Sequence, residues 1–130
     1  MRTMTQFSVY LINRPGVLAT VTGALAEAGV NIQALALMDA GEHGAVRMVC
    51  DDAEATRRVL GETHDRWTEA EVLALEVTNE PGAFAALAKK LSDAGVNITY
   101  AYFSGGPKGG PTTAILKVPD FERVRQALGT

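Results

Sequence analysis

Apolar side chains alternate at Phe7, Val9 and Leu11, and again at Leu73, Leu75 and Val77. A period of two marks a strand with one buried face. Directly after each run the spacing lengthens to Leu18, Val21, Leu25 and Ala28, and to Phe84, Leu87, Leu91 and Ala94. That spacing predicts one helix per half, each stopping at Gly29 or Gly95, since glycine tolerates the left-handed conformation of a helix end. Two more strands are predicted in each half: Val30–Met38 with Ala45–Asp51, then Val96–Ser104 with Thr112–Val118. Asp39–Gly44 and the glycine-rich Gly105–Pro111 are the hairpin connections. A second helix is expected to open on Asp52 or Asp120 as N-cap and to close near Gly61 or Gly129. A short last strand fits around Asp65–Thr68 in the first half. The second half, which ends at Thr130, has no room for one.

The two halves are copies. Asn13-Arg14-Pro15-Gly16 returns as Asn79-Glu80-Pro81-Gly82, and Ala28-Gly29-Val30-Asn31-Ile32 returns as Ala94-Gly95-Val96-Asn97-Ile98. With Asn13 aligned on Asn79, ten of the twenty positions through Ile32 are identical without a gap, and the second copy's hairpin is slightly the longer. Such self-similarity marks a duplicated structural unit. The expected class is α+β: two tandem ferredoxin-like β-α-β-β-α-β units over 1–69 and 70–130, the second lacking its last strand. Each is an antiparallel sheet with its helices packed on one face. Units this small bury little surface alone and leave a sheet face and edges open, so pairing of the copies and a homodimer are expected.

Charge narrows the partners. The net charge is −3, no Lys/Arg run concentrates positive potential, and nucleic acid is therefore not expected. Cys50 is the single cysteine, which excludes an internal disulfide. The first residues lack the apolar core of a signal peptide, and no run is long enough to span a bilayer. The expectation is a cytoplasmic protein without a membrane partner.

The chemistry of the turn after each first strand is that of an anion cradle. Pro15 suits the opening turn of a helix, and Gly16 lets another group approach the backbone. The N–H groups of Gly16, Val17 and Leu18 then stand unpaired at the positive end of a helix dipole, which suits a carboxylate. The asparagine in front either fixes the turn or offers its carbonyl oxygen to an ammonium. Residues alone leave both readings open, since Asn-x-Pro-Gly also serves as a plain strand-to-helix turn.

Asn-x-Pro-Gly, a short helix, then Ala-Gly-Val-Asn-Ile at fixed distance, twice, resembles the ACT domain, the amino-acid-sensing module of metabolic enzymes and regulators. The resemblance covers nearly the whole chain. It implies a ligand site where the first turn of one unit meets the second-strand start of a neighbour. Carried onto this sequence it names Asn13, Arg14, Pro15, Gly16, Val17 and Leu18 with Asn31 and Ile32. In the second copy it names Asn79, Pro81, Gly82, Ala83 and Phe84 with Asn97 and Ile98. The copies differ there. Arg14 stands against Glu80, and Phe84, replacing Leu18, is bulky enough to fill a pocket that stays open in the first copy.

The function implied is a non-catalytic regulatory protein that binds a small molecule, an amino acid foremost, with no cofactor and no metal. An alternative is a regulatory subunit of a separate amino-acid biosynthetic enzyme, which adds a partner enzyme. A more distant alternative is an acylphosphatase-like enzyme using Arg14 and Asn31, but no general base or nucleophile accompanies them. An RNA-recognition module would need aromatic and basic side chains on the central strands, and Ala45–Asp51 has no aromatic residue. Cys50 is read as a small buried apolar residue, His43 and His64 as solvent-facing. The Ser104–Pro111 stretch does not lead into a helix as a P-loop must, and reads as a flexible hairpin that glycine would let close over a ligand.

Overall fold

The computed structural model describes residues 1–38, 43–63 and 66–129. Its elements run β1 (Arg2–Ile12), α1 (Val17–Glu27), β2 (Ile32–Met38), β3 (His43–Cys50), α2 (Ala53–Thr63), β4 (Arg66–Thr78), α3 (Ala83–Asp93), β5 (Tyr100–Phe103), β6 (Pro111–Lys117) and α4 (Phe121–Leu128). Most of the first hairpin connection, the His43 side chain, His64, Asp65 and Thr130 lie outside the described residues.

Two compact units form, one of Thr5–Ala70 and one of Met1–Met4 with Glu71–Thr130. In the first unit the strand order is β2-β3-β1-β4, and in the second β1-β4-β6-β5. The long strands β1 and β4 are divided between the units: the start of each belongs to one, the remainder to the other. No strand follows α4 among the described residues. Instead Met1–Met4 take the edge place beside β4 that a last strand of the second copy would fill. The Arg125 guanidinium donates to the Thr3 hydroxyl at 3.1 Å, tying α4 to that edge.

Alternation sets which strand side chains meet the helices, although Val72, Ala74 and Ile115, on the other face of the second unit's sheet, are buried as well. In the first unit Phe7 pairs with Met48 and Val9 with Val46, antiparallel. These side chains pack with Val21 and Leu25 of α1 and with Val59 and Leu60 of α2. In the second unit Leu73 pairs with Leu116 and Leu75 with Ala114. Leu73, Leu75 and Leu116 pack with Leu91 of α3 and Val124 of α4. Each such side chain contributes about 1.5–3 kcal/mol by leaving water. This is the expected α+β architecture, an antiparallel sheet with both helices on one face in each unit.

The first helix of each unit ends one residue earlier than the periodicity suggests. Ala28 is the C-cap and is exposed. Val30 donates to the Leu25 carbonyl and Gly29 to that of Ala26, both at 3.0 Å. Val96 and Gly95 repeat the pattern on Leu91 and Ser92. This is the Schellman arrangement, in which a left-handed residue turns the chain and returns the next apolar one to the core. Gly29 has φ +76° and Gly95 φ +73°; Val30 is buried in place of the expected Ala28, and Val96 is buried beside the half-buried Ala94.

Asp52 and Asp120 cap the second helices as expected, accepting from the N–H groups of Ala55 and Arg123, both at 3.0 Å. α2 does not stop at Gly61 but runs on to Thr63. β5 is shorter than its predicted strand, covering Tyr100–Phe103 only. Trp67 packs against the first unit's core. Cys50 is buried there too, and burial pushes its thiol pKa up, away from the reactive thiolate.

The start of β4 is fixed to α2 by a two-pronged ion pair, Arg57 Nε to Glu69 Oε2 at 2.8 Å and Nη2 to Oε1 at 2.6 Å. The hydrogen bond from Arg57 and its charge lower the Glu69 pKa below the ordinary carboxylate value. A depressed carboxylate stabilises the fold above its unfolded pKa of about 4.3, and that contribution disappears as pH falls through the folded value. The exposed location keeps the effect small. Acid titration of stability in wild type and Arg57→Ala is expected to differ only above that window, with the curves converging below it. Curves that stay parallel through the whole acid range would show that the pair plays no part.

Candidate functional site

Both Asn-x-Pro-Gly turns fold, with one departure from the sequence reading. Pro15 and Pro81 precede the helices rather than opening them, and Gly16 and Gly82 are the N-caps, at φ +89° and +86°. A Cβ on either glycine would meet nothing within 4 Å. Glycine is therefore required by the left-handed backbone, not by a close approach. Gly16→Ala is expected to cost about 1–2 kcal/mol in chemical denaturation, with no steric clash. A change below a few tenths of a kcal/mol would show that the turn relaxes to another conformation.

In the second unit the turn borders a cavity of about 330 Å³. Its floor is Val77 and Thr112 at the ends of β4 and β6, which face each other in register. Its walls are Phe84 from the first turn of α3 and Phe103 from the end of β5. The two rings meet edge to face, centroids 5.0 Å apart. Asn79, Glu80 and the backbone of Ser104–Gly106 form the mouth. Phe84 is the α3 residue that lines it, and first-turn N–H groups have no acceptor within their own helix. One of them, on Ala83, reaches the Glu80 carbonyl at 3.3 Å.

Asn79 organises the glycine-rich hairpin. Its side-chain Nδ2 donates to the Gly106 carbonyl at 2.9 Å. Its backbone N–H donates to the Gly110 carbonyl, and its own carbonyl accepts from Gly109 N–H, both at 2.8 Å. The Thr112 hydroxyl donates to the Val77 carbonyl at 2.6 Å. The Asn79 side chain thus ties down the distant hairpin rather than its own turn, and the residue also lines the cavity. Phe84 and Phe103 both line the space.

The other expected site residues are distributed differently. In the first unit Asn13 and Arg14 are exposed at the end of β1, with Pro15 and Gly16, while Val17 and Leu18 are half-buried against the core. Arg14 N–H donates to the Ile12 carbonyl at 3.0 Å, and the Gly16 carbonyl accepts from both the backbone and the hydroxyl of Thr20. Asn31 N–H donates to the Asp51 carboxylate at 2.9 Å, at the opposite end of β3 from its pairing with Ile12. Asn97 and Ile98 likewise precede β5, whose Tyr100 pairs with Lys117, whereas Asn79 follows Thr78, which pairs with Pro111. Roughly six residues of strand separate those ends, about 20 Å. Ile32 and Ile98 pack on their own cores. Within a unit the turn and the second-strand asparagine do not meet. Arg14 and Asn31 are apart for the same reason, which leaves the acylphosphatase-like alternative without its pair.

Phe103 and Thr112 were not among the expected site residues, and Ser104–Gly106 belong to the hairpin read only as able to close over a ligand. Their strands return to the turn only through sheet pairing, and nothing local in the sequence marks that. Among the described residues no cluster of His, Cys, Asp or Glu is suited to hold a metal, and no helix is long and apolar enough to cross a membrane.

A two-unit ferredoxin-like chain with this turn in each unit defines a class, and comparison with known proteins names it. The profile of the family described as "ACT domain pair" matches residues 2–128. The chain belongs to that family. ACT domains are typically regulatory and non-catalytic, and their fold is one of small-molecule regulatory binding. Among solved structures, protein BT0572 from Bacteroides thetaiotaomicron is similar at 25% identity and TM-score 0.89, over 98% of this chain and 87% of that one. The ligand-free regulatory subunit of aspartate kinase from Thermus thermophilus is similar in fold at 16% identity and TM-score 0.74, over 96% and 89%. That of Thermus flavus is similar at 19% and 0.61, over 96% and 90%. No curated protein matches the sequence.

Proposed function

We propose that the protein is a non-catalytic regulator that binds an amino acid, with the second unit's turn as a principal contact. The observation that carries this reading is the cavity of about 330 Å³ bordered by Asn79, Glu80 and the start of α3, in a chain matched by the ACT pair profile over residues 2–128. Its size suits one amino acid, since small-ligand pockets start at about 300 Å³. The helix start supplies donors for a carboxylate and the Asn79 carbonyl an acceptor for an ammonium.

The mouth is open on one side, and Asn97 and Asn31 lie far from the turns of their own units. We assign their part to a second copy of the chain: in a homodimer, Asn97 and Ile98, or Asn31 and Ile32, approach the turn of the partner. Ligand then favours the dimer by the difference of its affinities for the two states. A second reading, a regulatory subunit of a separate biosynthetic enzyme, is favoured by the two aspartate kinase regulatory subunits, which match this chain over 96% of its length and about nine-tenths of their own.

The test is a thermal-shift screen of the full chain against the twenty amino acids at millimolar concentration, with sedimentation of any responder. A ligand at ~100 times its dissociation constant adds ~2.7 kcal/mol, several degrees for units of this size. A folded protein that responds to none of the twenty would overturn the amino-acid reading. A responder that leaves the association state unchanged would overturn the dimer site.

A further inference from the structure

We infer that the second unit's cavity selects a ligand of net positive charge: an amino acid carrying a second ammonium on a hydrocarbon stem. This rests on the amino-acid reading above and specifies which chemistry the cavity takes. Three observations lead there.

The first is charge. Among the described residues lining the cavity, Glu80 is the one acidic side chain, and no lysine, arginine or histidine stands beside it. Lys108 belongs to the same hairpin but not to the lining. An ordinary zwitterion finds an anion for its ammonium but only helix-start N–H groups for its carboxylate. A ligand with a second ammonium matches the sign of the site.

The second is the state of the polar groups at the mouth. Three donors there are already engaged: Asn79 Nδ2 by the Gly106 carbonyl, the Thr112 hydroxyl by the Val77 carbonyl, Ser104 N–H by the Thr113 carbonyl at 2.9 Å. Because Nδ2 faces Gly106, Oδ1 is the acceptor that the Asn79 side chain retains. The carboxylate of Glu80 and Oδ1 of Asn79 belong to consecutive residues, and together they suit an ammonium, which donates three hydrogen bonds.

The third is the walls. Phe84 and Phe103 present phenyl surface along the cavity. Such surface buries methylenes and attracts a cation to the ring faces. At the matching positions the first copy has Leu18 and Leu37, and Arg14 in place of Glu80. The first copy's turn therefore carries the opposite charge and no ring. The duplication has produced one turn with an acidic mouth and aromatic walls and another with neither.

The experiment is isothermal titration of the full chain with L-ornithine and L-lysine, against L-norvaline and L-norleucine, which have the same stem without the terminal ammonium. The charged member of each pair is expected to bind about fivefold tighter, the scale of one solvent-accessible charge pair, and added salt narrows the ratio. Glu80→Gln, at an exposed position, is expected to fold as wild type by circular dichroism and to bring the ratio near one. Neutral analogues binding as well as the charged ones in wild type, or a ratio unchanged in Glu80→Gln, would overturn the charge selection and leave the amino-acid reading standing. If none of the four binds while another amino acid does in the screen, the inference alone falls. If no amino acid binds at all, the reading beneath it falls as well.

Discussion

Truncation of Phe7 to alanine is expected to lower stability by about 3–5 kcal/mol, a large share of the roughly 5–15 kcal/mol that holds a typical domain folded. Phe7 is 0% exposed. Its ring lies opposite Met48 on the neighbouring strand, within the core shared by α1 and α2. The Arg57 guanidinium stands 5.9 Å from the ring centroid, on the same side chain that grips Glu69. Removing the ring leaves a void that backbone strands cannot close, so the lost transfer energy and the cavity cost add. Urea denaturation should report the loss, and a melting midpoint lower by more than about 10 °C should accompany it. Hydrogen exchange should accelerate most in Thr5–Ala70, the unit to which that core belongs. A loss below about 1 kcal/mol would mean that the ring is not buried as described.

Gly106→Ala is expected to act on the cavity rather than on the core. A Cβ at Gly106 would lie 2.5 Å from the Pro111 carbonyl oxygen and 3.1 Å from the Thr112 methyl. The first neighbour is backbone and cannot swing aside, so one strand of the hairpin must shift. Gly106 also carries the carbonyl that Asn79 Nδ2 grips, and the shift reaches the mouth directly. Whichever amino acid the screen identifies should bind at least tenfold more weakly, because a displacement of about 1 Å in a positioning group is enough to lose well-formed contacts. The core of the unit, Leu73, Leu116 and Leu91, lies elsewhere, so the loss of stability should stay near about 1–3 kcal/mol. Gly105→Ala, in the same stretch of the cavity lining but with nothing within 4 Å of its Cβ, is the matched comparison and should weaken binding far less. Equal effects of the two substitutions would show that the hairpin is not held against the turn.

Much of this architecture is readable in one dimension. Phe7, Val9 and Leu11 declare a strand and its buried face, because alternate side chains of an extended chain point to opposite sides. Gly29 and Gly95 mark helix ends because a left-handed residue is needed where the chain turns back, and Asp52 and Asp120 mark helix starts because their oxygens take up unpaired N–H groups. Small errors arise where the period and the cap compete. Ala28 continues the helical spacing, but the glycine cap hands its core place to Val30.

The site is half legible. Asn79, Pro81, Gly82 and Phe84 sit within one short motif, so their proximity is a property of the chain. Phe103, Thr112 and the Gly106 carbonyl reach the same cavity from beyond the whole of α3, brought there by β4 pairing with β6 and β6 with β5. Register between strands depends on the whole sheet. Even the role of Gly16 and Gly82 needs coordinates, since a glycine kept for its φ and one kept for close approach look alike in a sequence.

The sequence by itself determined the duplication, the order of elements in each copy, the buried face of each and the opposite charges of Arg14 and Glu80. These follow from local periodicity and local chemistry, which the chain carries wherever it folds. Only the tertiary structure decided that Met1–Met4 complete the sheet of the second unit, that the turn and the second-strand asparagine stand at opposite ends of each unit, and that Phe84 and Phe103 enclose a cavity. Each of these depends on which strand edges pair, and pairing is settled by burial and hydrogen bonding summed over residues far apart in the chain.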